Sequence, residues 1–302
     1  MKPRALLLLC CGGLFTCGAV ASTLDVSRPE VQAFIDAAST EHGLEREWVE
    51  SLLSRAEPQP DIIELISRPA EKRLTWGEYR ENFLDEKRIA TGVDFWNEHA
   101  DRLTEVERQT GVDPRVIVGI LGVETRFGGI TGRHRVLDAL VTLGFDYPPR
   151  SEYFLGELGQ FLALVRDEGV SPLESLGSYA GAMGFGQFMP RSYRIYAVDG
   201  NGDGRRDLFA DWDDAISSVA NYLLQHGWRR GEPILAEAKP PLGKYGDSST
   251  LDIEVMGAAG PIQLTGLHNF TVIMRYNRSL LYALAVEELG RTIALRLGKD
   301  PQ

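Results

Sequence analysis

The sequence predicts a mainly α-helical protein, α+β in class, with one small strand-containing segment. From Arg28 to about Gln109, apolar residues recur at three- and four-residue spacing, which is the period of one helix face. Beyond residue 232 the composition shifts to Pro, Gly and Ser around one short alternating run, LDIEVMG, which is typical of a strand. With 302 residues the chain is long enough for one large domain or two modest ones.

The composition indicates a soluble globular protein, with 43% hydrophobic and 25% charged residues. The net charge of -11 argues against general affinity for nucleic acid or anionic membranes, because both require an excess of Lys and Arg on the contact face. A neutral or cationic ligand fits this charge better.

The N-terminus has the layout of a secretory signal over residues 1–21. Lys2 and Arg4 precede an apolar run that reaches Val20, and small residues place the cleavage after Ala21. All three cysteines lie inside this segment: Cys10, Cys11 and Cys17. The mature chain therefore folds without disulfides in an oxidising compartment, and we expect a soluble periplasmic product. The residues before Cys17 also resemble a lipoprotein processing site, although Thr16 is larger than the usual residue there.

Residues 22–110 are expected to form an N-terminal helical domain. Its helical stretches are PEVQAFIDAASTEHG, REWVESLLSRA and VDFWNEHADRLTEVERQTG. Residues 58–69 and 74–83 are interpreted as connecting segments. The second segment carries three aromatic residues that we interpret as core anchors: Trp76, Tyr79 and Phe83.

The stretch DPRVIVGILGVETRFGG, residues 113–129, predicts a buried helix with one acid near its end. Asp113 can cap the first turn and Pro114 suits the first helical position. Gly119 and Gly122 leave room for a neighbouring helix, and Gly128-Gly129 is the expected stop.

The acid in that stretch is Glu124, which falls in the last turns of the predicted helix. Desolvation raises the pKa of a buried carboxyl, which is how a general acid stays protonated near neutral pH. The stretch alone is equally compatible with an ion pair between Glu124 and Arg126 at the helix end.

Farther along, helices are predicted over residues 136–143, 152–166, 213–226 and 279–297. Between them, the glycine-rich stretch from Gly177 to Pro190 is not a helix, and it lacks the ending of a phosphate loop. Its glycines allow close approach of a ligand, with Ser178 and Gln187 among the side chains that could contact it. A structural loop packed by aromatic side chains is the alternative.

Residues 199–214 match much of a calcium-binding loop. Oxygen-bearing side chains occupy positions 1, 3, 5 and 9, with glycine at position 6 and the backbone carbonyl of Arg205 at position 7. The side chains at these four positions are Asp199, Asn201, Asp203 and Asp207. Ala210 replaces the usual glutamate at position 12, so a later carboxylate must complete the site, and Asp211, Asp213 and Asp214 are available. An Asp/Asn/Gly turn without metal is the alternative.

Several long stretches occur in the order found in one known family. They are VGILGVETRFGG, LDALVTLGFDYPPRSEYF, GSYAGAMGFGQFMPRSYRIYAVD, DAISSVANYLLQHGW and RYNRSLLYALAVEEL. With these stretches, the chain resembles the membrane-bound lytic transglycosylase B family from about Trp76 to Leu289. The resemblance implies a lysozyme-like catalytic domain over residues 111–231, a small strand-containing insertion over 232–262, and a C-terminal segment, 263–302, whose helix returns to the catalytic domain.

The resemblance also implies roles for individual residues. Glu124 is the expected single catalytic acid/base, Ser178 contacts the substrate near the scissile bond, and Gln187 is a hydrogen-bonding group of the cleft. Further cleft-lining positions are Tyr79, Arg150, Tyr153, Tyr222, Tyr276 and Asn277. The last calcium carboxylate falls on Asp214, and the expected calcium is structural, with no organic cofactor. Pro149 stands where the family commonly has an arginine, which puts contacts from that position in doubt.

In such an enzyme the acid protonates the leaving oxygen of the MurNAc-GlcNAc β-1,4 linkage. It then takes the proton of the muramyl 6-hydroxyl, so that a 1,6-anhydro sugar forms and water is not consumed. One carboxylate then suffices, where ordinary glycosidases use two. A hydrolytic muramidase is one alternative, with Asp146 or Glu152 as the second carboxylate, and a non-catalytic glycan-binding protein is another. The expected partner is peptidoglycan and the expected state a monomer; proteins of cell-wall synthesis or remodelling are left open as partners.

Overall fold

The structure is a computed structural model and describes residues 23–67, 74–236 and 250–299. The predicted signal segment and its three cysteines lie outside the described residues. The mainly helical class is confirmed. The helices are α1 (Pro29–His42), α2 (Arg46–Leu53), α3 (Pro60–Ser67), α4 (Trp76–Glu81), α5 (Glu86–Glu98), α6 (Ala100–Thr110), α7 (Pro114–Thr125), α8 (Val136–Asp146), α9 (Ser151–Glu168), α10 (Pro190–Tyr196), α11 (Trp212–Gln225), α12 (His268–Tyr276) and α13 (Leu280–Arg296).

Two small antiparallel sheets accompany the helices. In the first, β1 (His134–Arg135) pairs with β2 (Leu176–Gly177). In the second, the strand order is β3-β5-β4. Its strands are β3 (Leu235–Ala236), β4 (Leu251–Gly257) and β5 (Gly260–Gly266). Strand β5 continues past the predicted end of the insertion at residue 262, because its pairing with β4 extends to Gly266.

Helix α7 is buried along most of its length, as its sequence predicts. The Asp113 side chain caps it by accepting a hydrogen bond from the Arg115 backbone N–H at 2.8 Å. A Cβ atom on Gly119 would lie 2.3 Å from the Val286 carbonyl oxygen, and one on Gly290 would lie 2.1 Å from the Arg115 carbonyl oxygen. Glycine on both helices therefore lets α7 and α13 pack with their backbones in contact.

The helix ends earlier than its glycines suggest. Arg126, at φ 52°, and Phe127, at φ 57°, both have left-handed backbone conformations directly after Thr125. Glu124 consequently lies in the last turn, one residue before the helix end, and Gly128-Gly129 follow in the loop.

Two segments that the sequence pattern assigns to connections are short helices, α3 and α4. Helix α4 has a complete capping box, in which Thr75 and Glu78 satisfy each other's backbone N–H groups. Trp76 and Tyr79 on this helix are buried, which confirms them as core anchors. Such short helices show too few turns for a periodic signal, and packing stabilises them instead.

One contiguous core of buried apolar side chains runs from the first helices to the last. Helix α1 packs on α9, α3 on α8, and α5 on both α7 and α13. The core is thus continuous across residue 110, and the proposed domain boundary there stays a prediction. Among the helices of the described ranges, none combines the length and apolarity that a membrane crossing requires.

Candidate active site

Glu124 is placed by the close packing of α7 on α13. Its Oε1 accepts a hydrogen bond from the Tyr282 hydroxyl at 2.6 Å. Tyr282 lies in the first turn of α13, where the Ser279 side chain caps the helix by accepting from the Tyr282 backbone N–H at 3.2 Å. Only 2% of Tyr282 is exposed, so its hydroxyl is held rigidly against the carboxylate.

Three tyrosines form a connected group that begins at this contact, and we call them the tyrosine cluster: Tyr282, Tyr276 and Tyr222. The rings of Tyr276 and Tyr282 are nearly parallel, with centroids 6.5 Å apart, and the centroids of Tyr222 and Tyr276 are 4.8 Å apart. The Tyr276 hydroxyl donates to the Gly186 carbonyl at 2.7 Å, and the Tyr222 hydroxyl donates to the Arg275 carbonyl at 2.7 Å. These bonds tie α11, α12 and the glycine-rich loop together.

The tyrosine cluster stays protonated at neutral pH. Burial, followed by the negative charge of Glu124, raises the pKa of Tyr276 and of Tyr282 well above the usual value. Burial raises the pKa of Tyr222 to about 12. All three hydroxyls are therefore neutral hydrogen-bond donors in this site.

Tyr79 approaches the same place from α4. It is 4% exposed, packs against Phe83 with ring centroids 5.0 Å apart, and lies close enough to Tyr282 to contribute to the raised pKa of that residue. Asn277 directly follows Tyr276 at the end of α12, and its carbonyl accepts from the Ser279 N–H at 2.7 Å. Tyr79 and Tyr276 thus lie within electrostatic reach of Tyr282, the hydrogen-bond partner of Glu124, and the roles of Tyr79, Tyr276 and Asn277 toward a substrate stay predictions.

The glycine-rich loop is fixed to α7 beside Glu124. The Thr125 hydroxyl donates to the Phe185 carbonyl at 3.0 Å, and the Tyr276 bond to Gly186 holds the next residue. Ser178 Oγ accepts from the backbone N–H groups of Ala180 at 3.2 Å and Ala182 at 3.1 Å. Because that oxygen accepts both bonds, the Ser178 hydroxyl hydrogen is not used in them and can be donated to a ligand.

The Gln187 side chain, predicted to hydrogen-bond a ligand in the cleft, uses its amide nitrogen for bonds within the protein. Gln187 has a left-handed backbone at φ 50°, and its Nε2 donates to the carbonyls of Thr131 and Gly184, both at 3.0 Å. A ligand can therefore use the Gln187 Oε1 without disturbing the loop, whereas use of the amide nitrogen breaks these bonds.

Arg150 and Tyr153 form a separate group at the start of α9. The Arg150 guanidinium lies 4.4 Å from the Tyr153 ring centroid and 4.9 Å from that of Phe154. Both Arg150 and Tyr153 are exposed, in and just after the 3-10 turn Pro148–Arg150. Both side chains are available to a ligand, but among the described ring and cation contacts neither one reaches the tyrosine cluster.

Sequence reasoning missed two parts of the site. One part is Tyr282, which lies within the family stretch RYNRSLLYALAVEEL and has no predicted role of its own, although its place three residues after the capping Ser279 is a local signal for a fixed side chain. The second part is an aromatic wall, in which Phe185 of the glycine-rich loop stacks on Trp212 with centroids 3.7 Å apart and an interplanar angle of 8°. This wall continues through Phe95 to Phe127.

The predicted calcium loop lies between α10 and α11, and its side-chain oxygens point inward. Asp199 accepts backbone N–H bonds from Gly202 at 2.6 Å and Gly204 at 2.8 Å. Asn201 Oδ1 accepts from Asp203 N–H at 2.9 Å, and Asp203 accepts from Arg205 N–H at 2.8 Å.

Asp214, in the first turn of α11, closes the loop from the other side. It is 1% exposed, and its two oxygens accept from Gly200 N–H and Asp207 N–H, both at 2.6 Å. The donor set consists only of oxygens, which is the chemistry that calcium prefers. Across the described residues, however, no three His, Cys, Asp or Glu side chains converge closely enough to hold a metal ion.

The two carboxylates considered for a hydrolytic mechanism are placed differently. Asp146 Oδ1 accepts from both terminal nitrogens of Arg28 at 3.1 Å, so this carboxylate is held in an ion pair. Glu152 is exposed in the first turn of α9. The hydroxyl that donates to Glu124 belongs to a neutral residue, Tyr282.

Comparison with known proteins gives consistent matches over most of the chain. The family model described as Transglycosylase SLT domain matches residues 27–291. Membrane-bound lytic murein transglycosylase B of Escherichia coli (strain K12) is 40% identical over 307 residues, covering 89% of this chain and 84% of that protein. The soluble lytic transglycosylase SltB1 from Pseudomonas aeruginosa matches with a TM-score of 0.84 and 43% identity, covering 89% of this chain and 100% of that one. Escherichia coli Slt35, solved in complex with calcium, matches with a TM-score of 0.82 and 38% identity, covering 91% and 96%.

Proposed function

Because the chain belongs to the transglycosylase SLT-domain family, we propose that it is a lytic transglycosylase that cleaves the MurNAc-GlcNAc β-1,4 linkage of peptidoglycan with Glu124 as its single acid/base. The observation that carries the proposal is the contact between Glu124 and Tyr282 inside a cluster of neutral tyrosines. This surrounding supplies a rigidly held, neutral hydrogen-bond donor to the carboxylate.

In the first step Glu124 acts as the general acid. Tyr282 donates to Oε1, so the proton given to the leaving glycosidic oxygen comes from Oε2. As the bond between the anomeric carbon and that oxygen breaks, a carboxylate forms on Glu124. The Tyr282 hydroxyl stabilises this carboxylate, because a hydrogen bond to a charged acceptor is stronger than one to a neutral acceptor.

In the second step the same carboxylate acts as the base. It takes the proton of the muramyl 6-hydroxyl as that oxygen attacks the anomeric carbon, which forms the 1,6-anhydro bond and restores protonated Glu124. One carbon–oxygen bond breaks and one forms. The proton given by Glu124 stays on the leaving sugar, and the proton of the 6-hydroxyl replaces it on Glu124, so water is not consumed. Ser178, Tyr276 and Asn277 lie on elements around Glu124 and are proposed to orient the sugar rings.

Mass spectrometry of digested cell-wall glycan tests this reaction. Anhydro ends are expected; reducing ends would identify the hydrolytic alternative instead. The ion pair of Asp146 with Arg28 disfavours that alternative, because a carboxylate oxygen that accepts from both terminal nitrogens of a guanidinium is not free to position a water molecule.

A non-catalytic glycan-binding protein is the remaining alternative. Glu124→Gln preserves the shape of the side chain and removes its acid, so we expect cleavage to be abolished while glycan binding remains. Full lytic activity of this variant would show that the acid is assigned to the wrong residue.

We further propose that calcium occupies the loop over residues 199–214. The proposed ligands are Asp199, Asn201, Asp203, the backbone carbonyl of Arg205, and Asp214. Their chemistry suits calcium, and a relative, Escherichia coli Slt35, was solved in complex with calcium. The proposed role is structural, because the ion relieves repulsion among the acidic side chains and ties the loop to α11.

The proposed location is the periplasm, after cleavage behind Ala21. A relative from Escherichia coli is described as membrane-bound, and lipidation at Cys17 is the competing possibility. The mass of the N-terminal peptide of the exported protein separates the two outcomes, because a mature chain that begins at Ser22 contains no lipidated cysteine.

A further inference from the structure

A cavity of about 410 Å³ lies at the opposite end of α7 from Glu124. Asp113 and Arg115 at the start of α7 line it, and eleven residues of helix place it about 16 Å from Glu124. We call it the rear cavity. Its volume is within the range of about 300–1,000 Å³ that small-ligand sites occupy.

Two indole side chains contribute to the apolar part of the wall. Trp96 and Trp228 are both largely buried, and the Trp228 Nε1–H donates to the Gly111 carbonyl at 2.9 Å, which fixes that ring. The Lys299 ammonium lies 5.3 Å from the Trp96 ring centroid. The cavity therefore has a rigid aromatic wall with a cation over one of its rings.

Several charged side chains that line the rear cavity already have ion-pair or hydrogen-bond partners within the protein. Arg115 Nε pairs with Asp113 Oδ2 at 2.8 Å, and Arg230 Nη2 donates to the carbonyl oxygen of Glu107 at 3.2 Å and to that of Arg108 at 2.8 Å.

Two charged side chains that line the rear cavity, Glu107 and Lys299, are not committed in this way. Within the described part of the chain, neither takes part in a side-chain ion pair. Glu107, Arg230 and Lys299 all line the same cavity. Partial burial, followed by the charge of Asp113, raises the pKa of Glu107, while Arg230, Lys299 and Arg115 act in the opposite direction. Among the described residues, the rear cavity thus offers one carboxylate and one ammonium that no direct side-chain ion pair occupies.

We propose that the rear cavity binds a short zwitterionic peptide, whose ammonium pairs with Glu107 and whose carboxylate pairs with Lys299, while its side chains contact the two indoles. A neutral sugar would leave both charges unpaired, and an anion alone would leave Glu107 opposed to it. A ligand with both charges satisfies the two groups at once.

The identity of the natural ligand rests on the proposed function. Cell-wall peptides carry free amino and free carboxylate groups, so a peptidoglycan enzyme meets this chemistry both on glycan strands and as released peptide. The distance of about 16 Å from Glu124 makes the rear cavity a second site, separate from the cleaved linkage.

Isothermal titration calorimetry with tri-alanine tests the site directly. The peptide with both termini free is expected to bind saturably, and acetylation of its amino end or amidation of its carboxyl end is expected to weaken binding roughly tenfold each, as expected for one lost charge-assisted hydrogen bond. Glu107→Gln should remove only the preference for a free amino end, and Lys299→Met only the preference for a free carboxyl end.

Matched controls are available on the same elements and on neighbouring ones. Asp101→Asn on α6 and Lys87→Met on α5 change exposed charges that do not line the rear cavity, and should leave tri-alanine binding unchanged. Absence of saturable binding, or equal binding of the doubly capped peptide, would overturn the proposal.

Glu124→Gln distinguishes this proposal from the proposed function. Loss or retention of cleavage in this variant tests the proposed function, whereas its tri-alanine binding, expected to equal that of the unmodified protein, tests the rear cavity. In that background, sedimentation with intact sacculi and with sacculi stripped of peptides distinguishes the sources. If Lys299→Met weakens tri-alanine binding and also binding to intact sacculi, but not binding to stripped sacculi, the site holds attached stems. If it weakens tri-alanine binding and leaves binding to both kinds of sacculi unchanged, the site holds released peptide.

Discussion

Tyr282→Phe isolates the contact on which the proposed mechanism depends. The substitution removes one hydroxyl, which donates to Glu124 Oε1 at 2.6 Å, and keeps the ring that lies parallel to Tyr276. The carboxylate that forms after proton donation then loses a hydrogen bond worth about 1.5–3 kcal/mol to a charged acceptor. Since about 1.4 kcal/mol corresponds to tenfold in rate, kcat should fall roughly 10- to 100-fold.

The pH profile gives a second readout of the same change. A carboxylate without its donor remains protonated to higher pH, so the alkaline limb of the kcat profile should shift upward in Tyr282→Phe. Tyr276→Phe is the matched control, because its hydroxyl donates to the Gly186 carbonyl, and it should leave that limb in place. Release of anhydro-muropeptides, followed by chromatography across pH, measures both quantities. If Tyr282→Phe kept the original kcat and profile, the hydrogen bond would have no part in the reaction.

Three further predictions concern stability. Gly119→Ala should lower the free energy of unfolding by about 1–3 kcal/mol, because its Cβ would lie 2.3 Å from the Val286 carbonyl oxygen. In the control variant Gly156→Ala, the new Cβ meets only a flexible side chain at 3.5 Å, so the same calorimetric scan should show a neutral or stabilising effect. The pKa of Tyr222 is about 12 in the folded state and 10.0 in an unfolded chain, so this residue favours folding below pH 10 and the free energy of unfolding should decline between pH 10 and 12. Chemical denaturation across this pH range should show a less steep decline for Tyr222→Phe. Calcium at about 100 times its Kd should add about 2.7 kcal/mol and raise Tm by several degrees over a chelated sample; an unchanged Tm would favour the plain turn.

Those parts of the fold whose signals are local could be predicted. Helix α7 follows from its cap, its proline at the first position and its apolar residues, and α8, α9, α11 and α13 follow from periodicity. The short helices α3 and α4 could not be predicted in this way, although the capping box of α4 was visible at Thr75 and Glu78. The extension of β5 to Gly266 depends on pairing with β4, which periodicity in one strand does not specify.

The candidate site was predictable in its residue types and less so in its contacts. Glu124 could be singled out because an acid stood at the end of a buried helix. Its partner Tyr282 is 158 positions away in the chain, and nothing near either residue indicates that α7 and α13 pack together. For Gln187, the sequence indicated an amide near the cleft, but the two carbonyls that occupy its nitrogen follow only from the folded loop.

The position of the Glu124 carboxyl group is therefore set by the backbone packing of α7 on α13 more than by the side chains around it. Gly119 and Gly290 allow carbonyl groups of the facing helices to occupy the space that their side chains would fill, and this fixes α7 against α13 with little freedom to slide. Glu124 lies five residues beyond Gly119, in the same rigid helix. A displacement of the helices by even about 1 Å would stretch a 2.6 Å hydrogen bond beyond its useful range. Glycines remote from the sugar thus set how well one carboxylate, assisted by one phenol, can serve as acid and then as base.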